Sequence, residues 1–262
     1  MTRPVFAAVL CIGVSAMAVP ALAQTVPAPA EPVPAPAQSA PAPAEPASAP
    51  AETATAAEMS PEQIAAFNQA VADFTAAQQL QQAGNNAGAI AKYEGALPAI
   101  RTAVKIQPNN ADYTKFLANA LYATAAAQAS VQNFDAFISL YKEAVPLWRG
   151  IVDVNPTDAT SRNILAGMLV QLGNQALSTQ DKAAAGTYYT EATALARKSV
   201  AAAPADPVNK NLLLSALIGL SQTNTDKAVM DEVLAMGKKM LADGSIDAVN
   251  KPSIEIMTGA KG

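Results

Sequence analysis

The 262-residue chain contains no histidine and a single cysteine, Cys11. Without histidine it lacks the commonest general base. Beyond residue 11 it also lacks any thiolate nucleophile and the usual Cys/His ligands for zinc. Aromatic residues make up only 5% of the sequence, with one tryptophan, and alanine supplies much of the 51% apolar content. Alanine is the best helix former but buries little surface, so helices form readily and each needs neighbours. The formal net charge is −4, with no basic block anywhere. That argues against nucleic-acid binding, which needs clustered Lys and Arg to neutralise phosphates.

The two ends differ in composition from the middle. Residues 1–23 carry the pattern of a secretory signal peptide: Arg3, then an apolar stretch from Val5 to Val19, then Ala21-Leu22-Ala23. The small residues predict cleavage before Gln24. An uncleaved membrane anchor is disfavoured, because the stretch is short for a ~30 Å hydrocarbon core. Cys11 follows Ala8-Val9-Leu10 inside the apolar stretch, which does not suit lipidation. Cleavage would leave no cysteine and hence no disulfide. From Gln24 to about Ala57 the chain is mostly Pro and Ala punctuated by Glu, as in Val26-Pro27-Ala28-Pro29-Ala30 and Val33-Pro34-Ala35-Pro36-Ala37. Such a segment cannot build a core, and an extended polyproline II spacer is expected at ~3.1 Å per residue. A Pro-rich ligand for another domain is the alternative reading.

Order is predicted to begin at Ser60-Pro61-Glu62-Gln63, with serine at the N-cap, proline at N1 and glutamine at N3. Ile64, Phe67, Val71 and Phe74 then recur at helical spacing, and Gly84-Asn85-Asn86 closes the helix. From here the chain repeats every 48 residues. Tyr93, Tyr141 and Tyr189 mark the period, as do Ala96, Ala144 and Ala192. So do Arg101, Arg149 and Arg197, then Val104, Val152 and Val200, then Pro108, Pro156 and Pro204. Leu117, Leu165 and Leu213, with Leu121, Leu169 and Leu217, complete the register. Each unit predicts two helices joined by a polar turn, Gln132-Asn133 in one case and Ser178-Thr179-Gln180-Asp181 in another. Tyr93, Ala96, Ile100 and Val104 form a stripe of helical period, and the absence of period-two alternation excludes strands.

Motifs that could carry chemistry do not survive their context. Ser139-Leu140-Tyr141-Lys142 has the Ser-x-x-Lys spacing of serine acyl enzymes, but it falls mid-helix on a repeat tyrosine without partner motifs. Gly84-Asn85-Asn86-Ala87-Gly88 lacks the Lys-Ser/Thr of a phosphate loop. No close carboxylate pair is implied by helical spacing. The three repeat arginines would form a ladder, with local pairing such as Arg149 to Asp153 the expected role rather than ligand binding. Trp148 occupies the place of Ile100 and Ala196 and is expected in the core. Pro98 and Pro146 lie inside second helices and are expected to bend them.

Pro108-Asn109-Asn110-Ala111 followed by Leu117-Ala118-Asn119-Ala120-Leu121-Tyr122 resembles the start of a tetratricopeptide repeat. Gly84, Ala89, Tyr93, Ala96 and Leu97 resemble that family's turn and second helix. The resemblance covers about residues 61–242. It departs in period, since the family repeats every ~34 residues. The extra length divides between the helices, about seven residues in each, or nearly two turns. The resemblance implies an all-α, right-handed α-solenoid of antiparallel helix pairs whose first helices line a concave binding face. Carried over position by position, that face comprises Lys115, Asn119 and Tyr122, then Asn163, Gly167 and Gln171, then Asn211 and Ser215. Lys115 and Asn119 are similar to part of a carboxylate clamp, but Ile164, Val208 and Leu212 stand where its further polar partners would be.

The last unit is degenerate. Thr225-Asp226-Lys227 opens a helix carrying Met230, Val233, Leu234 and Met240 that ends at Asp243-Gly244, as a capping element would. The organisation expected is therefore a signal peptide (1–23), a disordered Pro/Ala-rich linker (24–58), a helical repeat domain (59–243) and a loosely ordered C-terminal tail (244–262). The function expected is a non-enzymatic periplasmic or secreted scaffold that binds a protein or peptide, with no cofactor, metal or nucleic acid and no stable membrane insertion. A carrier of a small or lipidic ligand held between the long helices is the alternative. An apolar cavity would favour the carrier, and a filled core with a polar groove the scaffold.

Overall fold

The computed structural model describes residues 58–224 and 226–259. The expected signal peptide and its cleavage site, the Pro/Ala-rich linker through residue 57, Thr225 and residues 260–262 lie outside these described residues. Within them the protein is all-helical: nine helices and no strand. Four pairs come first: α1 (Pro61–Gln82) with α2 (Asn86–Ile106), α3 (Ala111–Ser130) with α4 (Phe134–Val154), α5 (Ala159–Ser178) with α6 (Lys182–Ala202), and α7 (Pro207–Thr223) with α8 (Lys227–Asp243). The short α9 (Lys251–Thr258) follows. Each helix packs on the next in sequence, and α5 also packs on α7. No helix among the described residues is long and apolar enough to cross a membrane.

Helix starts recur with the 48-residue period. Asn110, Asp158 and Asp206 cap α3, α5 and α7, each accepting backbone N–H groups of the first turn. Asn85, Asn133 and Asp181 do the same for α2, α4 and α6. A side-chain acceptor at this point satisfies an N–H that has no partner within the helix. At Ser60 the full capping box forms: its Oγ accepts from Gln63 N, and its own N–H donates to Gln63 Oε1. The turns between paired helices also repeat, with a left-handed residue at Gly84 (φ +78°), Gln132 (+62°) and Gln180 (+63°).

The core is the set of positions that repeats. Tyr93, Tyr141 and Tyr189 are buried, as are the three repeat alanines and all six repeat leucines. Trp148, Ile100 and Ala196 lie fully inside, as their shared register requires. Pro98 and Pro146 sit within helices that continue unbroken past them. On α1 the expected stripe holds from Phe67 to Phe74, but Ile64 is 48% exposed. It lies in the first turn of the first helix, where no preceding helix is present among the described residues to cover it.

The arginine ladder forms with partners other than those expected. Arg149 does not pair with Asp153 in its own helix. Instead its Nε and Nη2 donate to both carboxylate oxygens of Glu191 on α6, at 2.8 and 2.6 Å. Arg101 grips Glu143 on α4 in the same way, at 2.7 and 2.8 Å. The planar guanidinium fork matches a carboxylate two-fold, which one neighbouring helix can present to the other. Arg197 reaches Glu232 rather than the residue in register, Lys239, whose like charge would repel it. These pairs are half-exposed, so each contributes at most about 1 kcal/mol.

The expectation of a loosely ordered end beyond Gly244 is corrected as far as residue 258. Gly244 does terminate α8 in the left-handed conformation (φ +74°). The chain then folds back, and Ile254 of α9 is fully buried against Gly237, where a Cβ would come within 2.6 Å of the isoleucine. Asn211 holds this segment: its Nδ2 donates to Ser245 O at 2.8 Å, and its Oδ1 accepts from Asp247 N at 2.9 Å. Asn250 Nδ2 donates back to Asn211 O at 3.0 Å, and Ser215 Oγ donates to Asn250 Oδ1 at 2.8 Å. An eight-residue helix carries too little periodicity to announce itself, and the polar residues that pin it lie far away in sequence.

Candidate ligand groove between α4 and α5

The first turn of α4 and the last turns of α5 meet beside the left-handed turns at Gln132 and Gln180. There Phe134, Phe137 and Ile138 of α4 face Gln171, Asn174 and Gln175 of α5 across a shallow groove of about 20 Å³, open to solvent on one side. The floor is aromatic and the rim is amide. The two sets come together because the helices are antiparallel and i, i+3, i+4 spacing places each trio on one helix face. The aromatic floor continues inward: the Phe137 ring lies 4.3 Å from Tyr141, which stacks on Tyr122 at 6.0 Å with the planes 7° apart. Burial raises the phenols of Tyr141 and Tyr122 above the usual tyrosine range, more strongly for Tyr141.

The amide rim has capacity to spare. Asn174 Oδ1 accepts the Tyr189 hydroxyl at 2.6 Å, which leaves its NH2 as a donor with no hydrogen bond among the described residues. The side chains of Gln171 and Gln175 make no hydrogen bond among the described residues. An amide that offers both a donor and an acceptor is the natural partner of a peptide backbone.

Some of these residues depart from the repeat. Gln171, Asn174 and Gln175 stand where α3 has Ala123, Ala126 and Ala127. Phe134 and Phe137 stand where α2 has Asn86 and Ala89 and α6 has Lys182 and Ala185. Ile138 is matched by Ile90, Asn174 by the amides Gln78 on α1 and Gln222 on α7, and Gln175 by Gln79 on α1. Packing explains residues that recur, because the same backbone needs the same core. It does not explain Phe134 and Phe137, which occur once in the register, or Gln171, whose counterparts are Thr75, Ala123 and Gly219.

Of the residues singled out from the sequence, the structure brings Tyr122 and Gln171 to this region. Lys115 is exposed near the start of α3, close enough to Asp158 to help hold that carboxyl below its usual range. Burial alone would raise Asp158, but hydrogen bonds from Ser161 and Thr160 outweigh it. Asn119 is buried on α3. Asn163 and Asn211 serve the interior. Asn163 Nδ2 donates to Asn209 Oδ1 at 2.7 Å, and Asn209 Nδ2 donates in turn to Ser199 O at 3.2 Å. Asn211 belongs to the C-terminal network. Beside Asn209 lies Arg162, only 4% exposed, whose Nη1 donates to Pro156 O and whose Nε donates to Ser199 Oγ at 3.4 Å. It fastens the loop before α5 to the end of α6. Phe134, Phe137, Asn174 and Gln175 are not singled out by the sequence, although the departure of the two phenylalanines from the 48-residue register is a signal for them.

Among the described residues no group of three or more His, Cys, Asp or Glu side chains is placed to hold a metal ion. No protein-family model matches the chain, and no curated protein matches it in sequence.

Proposed function

We propose that this is an exported, non-enzymatic scaffold that binds an extended peptide segment of a partner protein. In this reading the helix pairs are tetratricopeptide-like, lengthened by two turns per helix, and stack as a right-handed α-solenoid. The observation that carries the proposal is the groove itself, where Phe134, Phe137 and Gln171, which have no counterpart in the 48-residue register, meet beside the amides of Asn174 and Gln175. Extended chains present backbone N–H and C=O groups along both edges and side chains to alternate faces. Gln171, Asn174 and Gln175 can pair with the edges while the half-buried Phe134 receives an apolar side chain. The core behind them is filled, since Tyr189 packs against glycine on two helices, and this favours a surface groove over an internal carrier cavity. Export rests on the sequence of residues 1–23 alone.

The test is affinity capture from cell-envelope extract with immobilised protein spanning Gln24 to Gly262. A parallel column carries the Phe134→Ala, Gln171→Ala, Gln175→Ala variant. These changes install alanine at a half-buried helix start and at two places where α3 already has it, so the fold should survive. Expected is a protein retained by the first column and lost from the second. Equal retention on both columns, or a bound lipid without protein, would overturn the proposal.

A further inference from the structure

Resting on that reading of the groove, we propose that the chain's own Pro/Ala-rich segment, through Val26 to Ala37, docks between α4 and α5 and competes there with the partner.

The chemistry of the segment complements the groove. Between Gln24 and Ala57 the only bulky apolar side chains are Val26 and Val33, and each opens a Val-Pro-Ala-Pro-Ala run. Prolines have no N–H, so these runs present carbonyl acceptors with few donors. The groove offers the reverse: the amide NH2 groups of Gln171 and Gln175, which make no hydrogen bond among the described residues, and that of Asn174. The half-buried Phe134, with Phe137 buried behind it, supplies the surface on which a proline ring or a valine can pack, and no charged side chain lines the groove. Aromatic-lined grooves with donor side chains are how Pro-rich extended chains are generally held. Proline also lowers the ordering entropy that docking must overcome.

Reach does not prevent it. The segment joins the described residues at Glu58, one residue before Met59 and the α1 cap at Ser60. That point lies at the opposite end of the helices from the groove. A 22-residue helix is about 33 Å long. Stepping from α1 to α4 adds about 8–10 Å per helix, so the path is of order 45 Å. At ~3.1 Å per residue, about 15 residues cover it. Val33 is 24 residues before Ala57, so the first Val-Pro runs arrive with slack and the tether is intramolecular. A tethered segment needs only weak intrinsic affinity, because its effective concentration is of order millimolar.

The experiment uses the protein spanning Gln24 to Gly262, which contains no cysteine, with Ala35→Cys as the single attachment point for a nitroxide spin label. Paramagnetic broadening is read on the side-chain amides of Gln171, Asn174 and Gln175. The result expected is broadening several-fold stronger at these groups than at the amide of Gln69 on α1, independent of protein concentration, and abolished by Val26→Ser with Val33→Ser. Uniform or absent broadening overturns the inference. So does broadening seen only when spin-labelled and isotope-labelled molecules are mixed, which would assign the contact to a second copy. Removing residues 24–57 should tighten partner capture about tenfold if the segment occupies the groove nine-tenths of the time. The inference and the reading beneath it fail separately. Partner capture that depends on the groove, without directed broadening, removes only the inference. Directed broadening with no captured partner removes only the external ligand.

Discussion

The two halves of the helical array share a backbone register but not a core. In α1–α4 the interior is built around rings. Phe74 lies 5.3 Å from Tyr93 and 5.2 Å from Phe116, and Phe67 lies 4.7 Å from Tyr113. Beyond Tyr189 the sequence has no aromatic residue at all, and the core of α7–α9 is Leu212, Leu213, Leu214, Leu217, Val233, Met240 and Ile254. The repeat tyrosine shows the change most directly. Phe74, Tyr122 and Val170 are equivalent positions 48 apart; the first two meet their tyrosine ring to ring, as Phe74–Tyr93 and Tyr122–Tyr141. Tyr189 has valine there instead. It is seated by Gly173 and Gly219, where any Cβ would collide with its ring. The position equivalent to Gly173 is Ala77 on α1 and Ala125 on α3. One half fills space with side chains, and the other lets backbones approach a single ring.

The largest effect that would break this contrast is removal of a ring from the first half. Phe74→Ala should destabilise by about 4 kcal/mol, the usual loss for a buried phenylalanine, read from urea unfolding by circular dichroism. Val170→Ala, in the same register, should cost about half as much, since it removes less buried surface. Equal losses would show that ring pairing is not what separates the halves.

Next in size is the glycine seat. Gly219→Ala should cost about 3 kcal/mol, because the new methyl must displace an aromatic ring enclosed on both sides. Ala123→Gly, at the corresponding place in α3, should cost only about 1 kcal/mol through helix propensity and lost contact. Pairing Gly219→Ala with Tyr189→Leu should recover part of the loss, because the two sites share one space. A mild effect of Gly219→Ala alone would mean that the second half packs loosely.

The C-terminal knot comes third. Asn211→Ala leaves the Asp247 N–H and the Ser245 carbonyl without their partner, which costs about 2 kcal/mol. The loss should be local: amide exchange should accelerate at residues 245–258 and leave α1–α4 unchanged. Uniform acceleration across the array would instead join the two halves into one cooperative unit.

How much of this was legible depends on whether a residue repeats. The helices, their turns and the tyrosine, alanine and leucine core could be read because the same backbone demands the same residue every 48 positions. The groove could not, since the register does not predict Phe134 and Phe137, and Asn174 and Gln175 share their positions with Gln78 and Gln79 on α1, so nothing in the repeat marks them out. Tyr122 and Gln171 were found only because family resemblance points to first helices. That same logic also nominated Asn163 and Asn211, whose amides turn inward. Their direction depends on Asn209 and on the Ser245–Asn250 segment, distant in sequence and brought close only by folding. Arg149 misled in a related way. Its helix offers Asp153 at the right spacing, yet the neighbouring helix offers Glu191 in a two-fold geometry that a linear reading does not see.

The smallest expected effect lies in the turns, where the halves are most alike. Gly84, Gln132 and Gln180 occupy one register position, all in the left-handed region, at φ +78°, +62° and +63°. For glycine this conformation carries no steric penalty, whereas a side chain brings its Cβ against the following carbonyl at about 1 kcal/mol or more. Neither glutamine offsets this with a side-chain hydrogen bond of its own among the described residues. Gln132→Gly and Gln180→Gly should therefore each stabilise by about 0.5–1 kcal/mol, part of the relief being returned as extra entropy of the unfolded chain. Gly84→Gln should destabilise by a similar amount. Thermal unfolding of the three single variants decides it. A loss on Gln132→Gly would mean that its side chain contributes at the groove's edge, beside Phe134, and that the turn belongs to the site as well as to the fold.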